Sequence, residues 1–213
     1  MYHNCYIFHK LNYIKNAIIP NTIICNNLNK NFLNNCIIYV DCQVKITKKI
    51  ELDNLLVFID DNNKINSINL LDNSILNIDN DKKYFVLDDK QISVLKDILE
   101  TKNLLLEVKP KLIYGTIIQR TKHPKSDNLF VLSIDINKNE PIQIVTNTLD
   151  SQENKTLVLA LPGTVVFNGS EILKNKVIDV DSYGMLTSYK TLGIDKEGLI
   201  FGDSSEKGKD FKF

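Results

Sequence analysis

The residues able to do chemistry on a ligand gather in the second half of the chain. Arg120, Lys122 and Lys125 fall within one run, Arg120-Thr121-Lys122-His123-Pro124-Lys125-Ser126-Asp127. Lys190 follows a second, Ser182-Tyr183-Gly184-Met185-Leu186-Thr187-Ser188. Cations so placed suit phosphate, hydroxyls suit sugars and base edges, and the flexible thioether of Met185 can cover an unstacked ring. Catalysis fits less well. His123 is the only histidine beyond His9, and no nucleophile stands at acid–base spacing from it. Ser182 and Ser188 lack a G-x-S-x-G elbow, and Gly163, Gly169 and Gly184 are too scattered for a phosphate loop. These features point to a binding protein without metal or cofactor, not to an enzyme.

The elements that must position these residues read as strands. Leu129, Val131, Ser133 and Asp135 alternate with Phe130, Leu132, Ile134 and Ile136. IQIVTN (142–147) and TLVLALPGTVV (156–166) continue the β pattern. A period of two with breakers every ten to twelve positions predicts short strands curling into a small barrel. Pro124, Ser126 and Asp127 predict a rigid loop, and Leu161-Pro162-Gly163 a turned strand end. Gly184 allows a sharp bend or a close backbone approach. A helical turn through Tyr189, Lys190 and Leu192 follows, with Gly193 as its stop.

Residues 1–106 read as a separate α+β unit. Runs 35–46, 55–61 and 64–71 predict strands, with Asp60-Asp61-Asn62-Asn63 as a hairpin turn. Asp88-Asp89 offers a cap, and Ile92, Leu95, Ile98 and Leu99 predict an amphipathic helix over 89–102. Glu107 to Pro110 reads as a short polar linker. Cys5, Cys25, Cys36 and Cys42 have irregular spacings, so reduced thiols fit better than a zinc site with His3 and His9. Lys plus Arg and Asp plus Glu number 26 each, which excludes a strongly basic nucleic-acid-binding chain and leaves any such contact to local charge. The opening residues lack the basic start and apolar core of a signal peptide, and nothing later approaches a membrane span, so a cytoplasmic protein is expected.

His-Pro-x-x-Asp-x-Leu (123–129), Ile144-Val145, the Pro-Gly strand end, Ser-x-Gly-Met-x-x-Ser (182–188) and Leu192-Gly193 together resemble the EMAP II-type tRNA-binding domain. The resemblance runs over about 111–213, and the extension before it makes the whole most like the bacterial YtpR type. It implies an α+β N-terminal domain, 1–106, followed by an all-β OB-fold barrel, 107–213. It implies a tRNA or another structured RNA as partner and a contact role for Ser182 and Met185; with the cations read above, the expected RNA-binding set is Arg120, Lys122, His123, Lys125, Asn147, Ser182, Met185, Ser188 and Lys190. The chain departs from the family at two places. Asn147-Thr148-Leu149-Asp150 replaces Gly-Ala-Pro-Asn, and Ile178-Asp179 replaces Arg-Gly. Asp150 and Asp179 repel phosphate where an amide and a neutral turn are usual. An alternative expectation follows: a protein–protein adaptor, its partner an aminoacyl-tRNA synthetase or another protein, with no membrane involved.

Overall fold

Apolar alternation builds two antiparallel sheets in the computed structural model, which describes residues 22–28 and 32–213. The first comprises β1 (Ile24–Asn27), β2 (Cys36–Tyr39), β3 (Lys48–Leu52), β4 (Leu55–Ile59), β5 (Ile65–Leu70) and β6 (Tyr84–Val86), in the order β3-β4-β5-β2-β1-β6. Direct cross-strand partners share a face. The row Val57, Ile68, Ile38 is therefore fully buried, while the adjacent row Phe58, Ser67, Tyr39 stays half-buried on the other side. Helix α1 (Asp89–Glu100) covers the buried face with Ile92, Leu95 and Leu99. Asp88 accepts from the Gln91 amide, the cap its sequence predicts, and the Gln91 side chain accepts in return from the Asp88 amide, which makes the cap reciprocal.

Two local expectations change. The run 35–46 forms a strand only over Cys36–Tyr39. Asp41 Oδ1 accepts from the Gln43 amide at 3.0 Å, a local bond that competes with the ladder. The strand Lys48–Leu52 was not expected, because Lys-Lys-Ile-Glu-Leu carries three charges; it forms at the sheet's edge, where charge is tolerated.

The second sheet comprises β7 (Leu112–His123), β8 (Ser126–Asp135), β9 (Ile142–Thr146), β10 (Thr156–Ala160), β13 (Met185–Leu186) and β14 (Phe201–Gly202), with a separate hairpin, β11 (Asn175–Val177) and β12 (Val180–Ser182). Its order is β13-β10-β7-β8-β9, and β14 pairs with β10. Beyond the ladder, the Tyr183 amide donates to the Gln143 carbonyl at 2.8 Å, bringing the chain after β12 against β9. Leu132, Ile134, Ile144, Leu157 and Leu159 form the interior. Among the described residues no helix is long and apolar enough to cross a membrane.

No strand pairs across the two sheets, yet they share a core. Ile24 and Tyr84 of the first half pack with Leu112, Val158 and Val166 of the second. Tyr84 donates to the Val165 carbonyl at 2.7 Å, and burial raises its phenol pKa. Nor is the stretch 107–110 a free linker. Val108 packs on the first core, and Lys109 Nζ lies 2.9 Å from Asp41 Oδ2. Lys111, only 2% exposed, donates to the Gly163 carbonyl at 2.9 Å. Burial lowers the Lys111 pKa to about 8 against the opposing pull of Asp41 and Cys42. Burial also pushes Asp41 up, but the Lys109 hydrogen bond and the two lysine charges outweigh it and hold the carboxyl low. Cys25 and Cys36 are buried and Cys42 half-buried, all unbridged. Cys5, His3 and His9 lie outside the described residues.

Candidate nucleic-acid interface

Strand β7 sets two cations two residues apart, and therefore on one face. The register pairs Arg120 with Leu132, and Lys122 with Phe130, which in turn pairs with Thr146. The Arg120 guanidinium carbon sits 3.4 Å from the Phe130 ring centroid, a stack that fixes the side chain and contributes about 0.5–1 kcal/mol. Its backbone amide donates to Glu153 Oε1 at 2.8 Å. Arg120 Nε is buried with no hydrogen-bond partner among the described residues. Lys122 is exposed and forms no ion pair among them.

The hairpin turn beyond is held from inside by His123. The ring is 4% exposed, its Nδ1 accepting from the Lys125 amide at 3.1 Å. Nε2 lies 3.0 Å from the Val177 carbonyl and so carries the proton, because Nδ1 is the acceptor. His123 thus ties the β7–β8 turn to β11 with both nitrogens occupied. Beside it, Lys125 Nζ meets Asp179 Oδ2 at 2.7 Å. Ile178 and Asp179 form the β11–β12 turn with φ of 45° and 67°. The left-handed region is costly for a β-branched residue, and Ile178 is nonetheless half exposed at 50%.

Ser182 is buried, and its Oγ accepts from the Val145 amide at 3.1 Å. Gly184 has φ 139°, and a Cβ there would lie 2.7 Å from the Ala160 carbonyl oxygen. Both expected roles of the glycine are present. The bend turns Met185 half-buried onto the shared core. Ser188 Oγ lies 2.8 Å from Thr191 Oγ1, fastening the short turn Lys190–Leu192 that Gly193 ends at φ 74°. Lys190 is ion-paired with Glu197. Asn147 is exposed directly after β9, next to Thr146 of the Lys122–Phe130 row.

Arg120, Lys122 and Asn147 are thus brought to one end of the sheet, with Lys125 on the adjoining turn. Ser188 and Lys190 sit on the segment that packs against Phe167, and no hydrogen bond or ion pair among the described residues joins them to that end. Phe130 and Glu153, which hold Arg120, went unread. Phe130 was masked by its place in an alternating strand, and Glu153 lies 33 residues away in a loop.

Residues 112–210 match the model of the family described as "Putative tRNA binding domain". The phenylalanine–tRNA ligase beta subunit of Clostridium acetobutylicum is 36% identical over 105 residues, covering 47% of this chain and 13% of that subunit. That of Fusobacterium nucleatum is 34% identical over 103 residues, with the same coverage, and that of Novosphingobium aromaticivorans 38% over 87 residues, covering 39% and 11%. The chain therefore spans only about an eighth of the length of these relatives.

Proposed function

We propose that this chain is a non-catalytic RNA-binding protein, tRNA its best ligand, and that the second half is an OB-type barrel whose open end receives the RNA. The family match over 112–210 carries the reading. The strand order β13-β10-β7-β8-β9, with Tyr183 bonded to Gln143, supports a closing barrel. The YtpR-type arrangement, with 1–106 and 107–213 as two units docked through the shared core, and a cytoplasmic location belong to the same proposal. Of the four cations expected to meet phosphate, Arg120 and Lys122 have no carboxylate on their charge among the described residues, whereas Lys125 and Lys190 each hold one. His123 and Ser182 act by positioning the turn and the strand end, Asn147 and Met185 by meeting bases.

A gel shift with total tRNA against an RNA pool depleted of tRNA tests this. Binding that weakens with salt supports it, and indifference at low salt overturns it. Two exposed apolar residues keep a second reading open, Leu149 at 71% and Ile178 at 50%, both at the family-divergent positions. They suit an adaptor surface for a synthetase or another protein, which the same failure of tRNA binding, joined to capture of a defined protein, would favour.

A further inference from the structure

The face of the first sheet turned away from α1 carries a trough along β5. Ser67 and Asn69 form its floor. Phe58 on β4 and Tyr39 on β2 flank Ser67 as its direct partners, and Leu56 and Ile37 flank Asn69. One end is walled by the loop of the second half, where Val165 and Glu171 pair across a tight turn through Gly169. The open cleft so bounded has a volume of about 340 Å³.

We infer that this cleft takes an unpaired nucleobase of the bound RNA, with a preference for the donor-rich edge of guanine. The inference rests on the RNA-binding reading above. Neighbouring strands stand about 4.8 Å apart, so Phe58 and Tyr39 rise about 10 Å from each other with only the small Ser67 between. A flat ring stacked on one wall lies about 3.5 Å from it and leaves roughly 3 Å of slack before the other, whereas two stacked rings would need about 10.5 Å. The occupant is therefore a single plate, entering edge first between aromatic walls, the sequence-tolerant part of base binding.

Its edge meets polar groups. The hydroxyl of Ser67 and the amide of Asn69 have no hydrogen-bond partner among the described residues, while Asn66 is held in place by donating to the Val44 carbonyl at 2.8 Å. An aliphatic peptide side chain would strand those groups without partners, whereas a base edge satisfies them. Glu171, exposed at the rim with no ion pair among the described residues, accepts two N–H groups. Guanine presents N1–H and N2–H side by side on its pairing edge, and the other bases present one donor group or fewer suited to a carboxylate. The same carboxylate excludes phosphate from the rim, so the backbone runs outside the trough.

The test uses the full chain labelled with ¹⁵N and two single-stranded RNA pentamers, AAGAA and AAUAA, with GMP as a third probe. The expected result is movement of the Ser67, Asn69 and Gly169 amide signals by AAGAA and by GMP, with AAUAA weaker by roughly tenfold. Glu171→Gln, on an exposed loop, should remove most of that preference without touching the fold. Asn69→Ala should weaken both pentamers, its thermal midpoint checked against the parent chain. In the tRNA gel shift both variants should lower affinity several-fold at an unchanged salt slope, because a base contact releases no counterions. Silence of the three signals with AAGAA overturns the inference. So does a response to GMP alone, which would make the cleft a free-nucleotide site. Failure of the parent chain to bind tRNA overturns the barrel reading separately, and the pentamers still decide the cleft.

Discussion

Lys125 Nζ lies 2.7 Å from Asp179 Oδ2, so a cation placed to meet phosphate already holds a carboxylate of the neighbouring hairpin turn. Both side chains are well exposed, at 59% and 74%, and such a pair contributes at most about 1 kcal/mol. RNA can therefore displace Asp179, but the repulsion stays. Asp179→Gly should remove it and also suit the left-handed backbone at φ 67°. The expected outcome is tighter tRNA binding, with the slope of log affinity against log salt steeper by about 0.7–0.9. Unchanged affinity would place Lys125 outside the RNA path.

Lys122 has no such partner among the described residues, which separates it from Lys125 and Lys190. With Arg120 and Lys122 as the two uncompensated cations, the parent slope should be about −1.4 to −1.8. Lys122→Glu should flatten it and weaken all tRNAs alike, whereas Met185→Ala should weaken binding at constant slope. A slope unaffected by Lys122→Glu would move the phosphate path away from β7.

The second half was readable because its signals are local. Alternation fixed the inward set Leu132, Ile134 and Ile144, and Gly193 marked the end of its turn. The helix was legible from Asp88 and the Ile92, Leu95, Leu99 stripe. What stayed hidden depends on contacts distant in sequence. Lys111 looks like any solvated lysine until the Gly163 carbonyl, 52 residues away, closes over it. The pairing of Lys125 with Asp179 and of Lys190 with Glu197 could not be read from charge counts, and it halves the expected basic stripe. The join at 107–110 is polar in composition, yet it is tied down by Asp41 on another strand connection.

Gly184 combines φ 139° with a Cβ position 2.7 Å from the Ala160 carbonyl oxygen. Backbone atoms cannot step aside as a side chain can. Gly184→Ala should cost about 1–3 kcal/mol in urea unfolding, and Gly184→Val more. A midpoint equal to the parent's would show that the strand end relaxes freely.

Ile178 occupies the left-handed region at φ 45° while half exposed, so its side chain gives back little for the strain. Ile178→Asn should stabilise the chain by about 1 kcal/mol, since asparagine tolerates that backbone. If stability falls instead, the isoleucine makes a packing contact that outweighs its strain.

The seam between the halves should leave a signature in pH. Lys111 titrates at about 8 in the folded protein and at its usual 10.5 when unfolded. Below pH 8 both states hold the proton, and the folded state carries the cost of a buried ammonium. Between pH 8 and 10.5 the folded state has released the proton while the unfolded chain still binds it, so stability rises with pH across that window. The shift corresponds to about 3 kcal/mol. Asp41 has the opposite sense: its lowered carboxyl contributes stability above its ordinary 3.8 that is lost as pH falls. The other groups cancel when the parent chain is compared with Lys111→Met by urea unfolding at each pH. The difference should move in favour of the parent as pH climbs from 8 to 10.5, by an amount of that order. A difference that stays flat would mean that water reaches the ammonium and that the seam is open in solution.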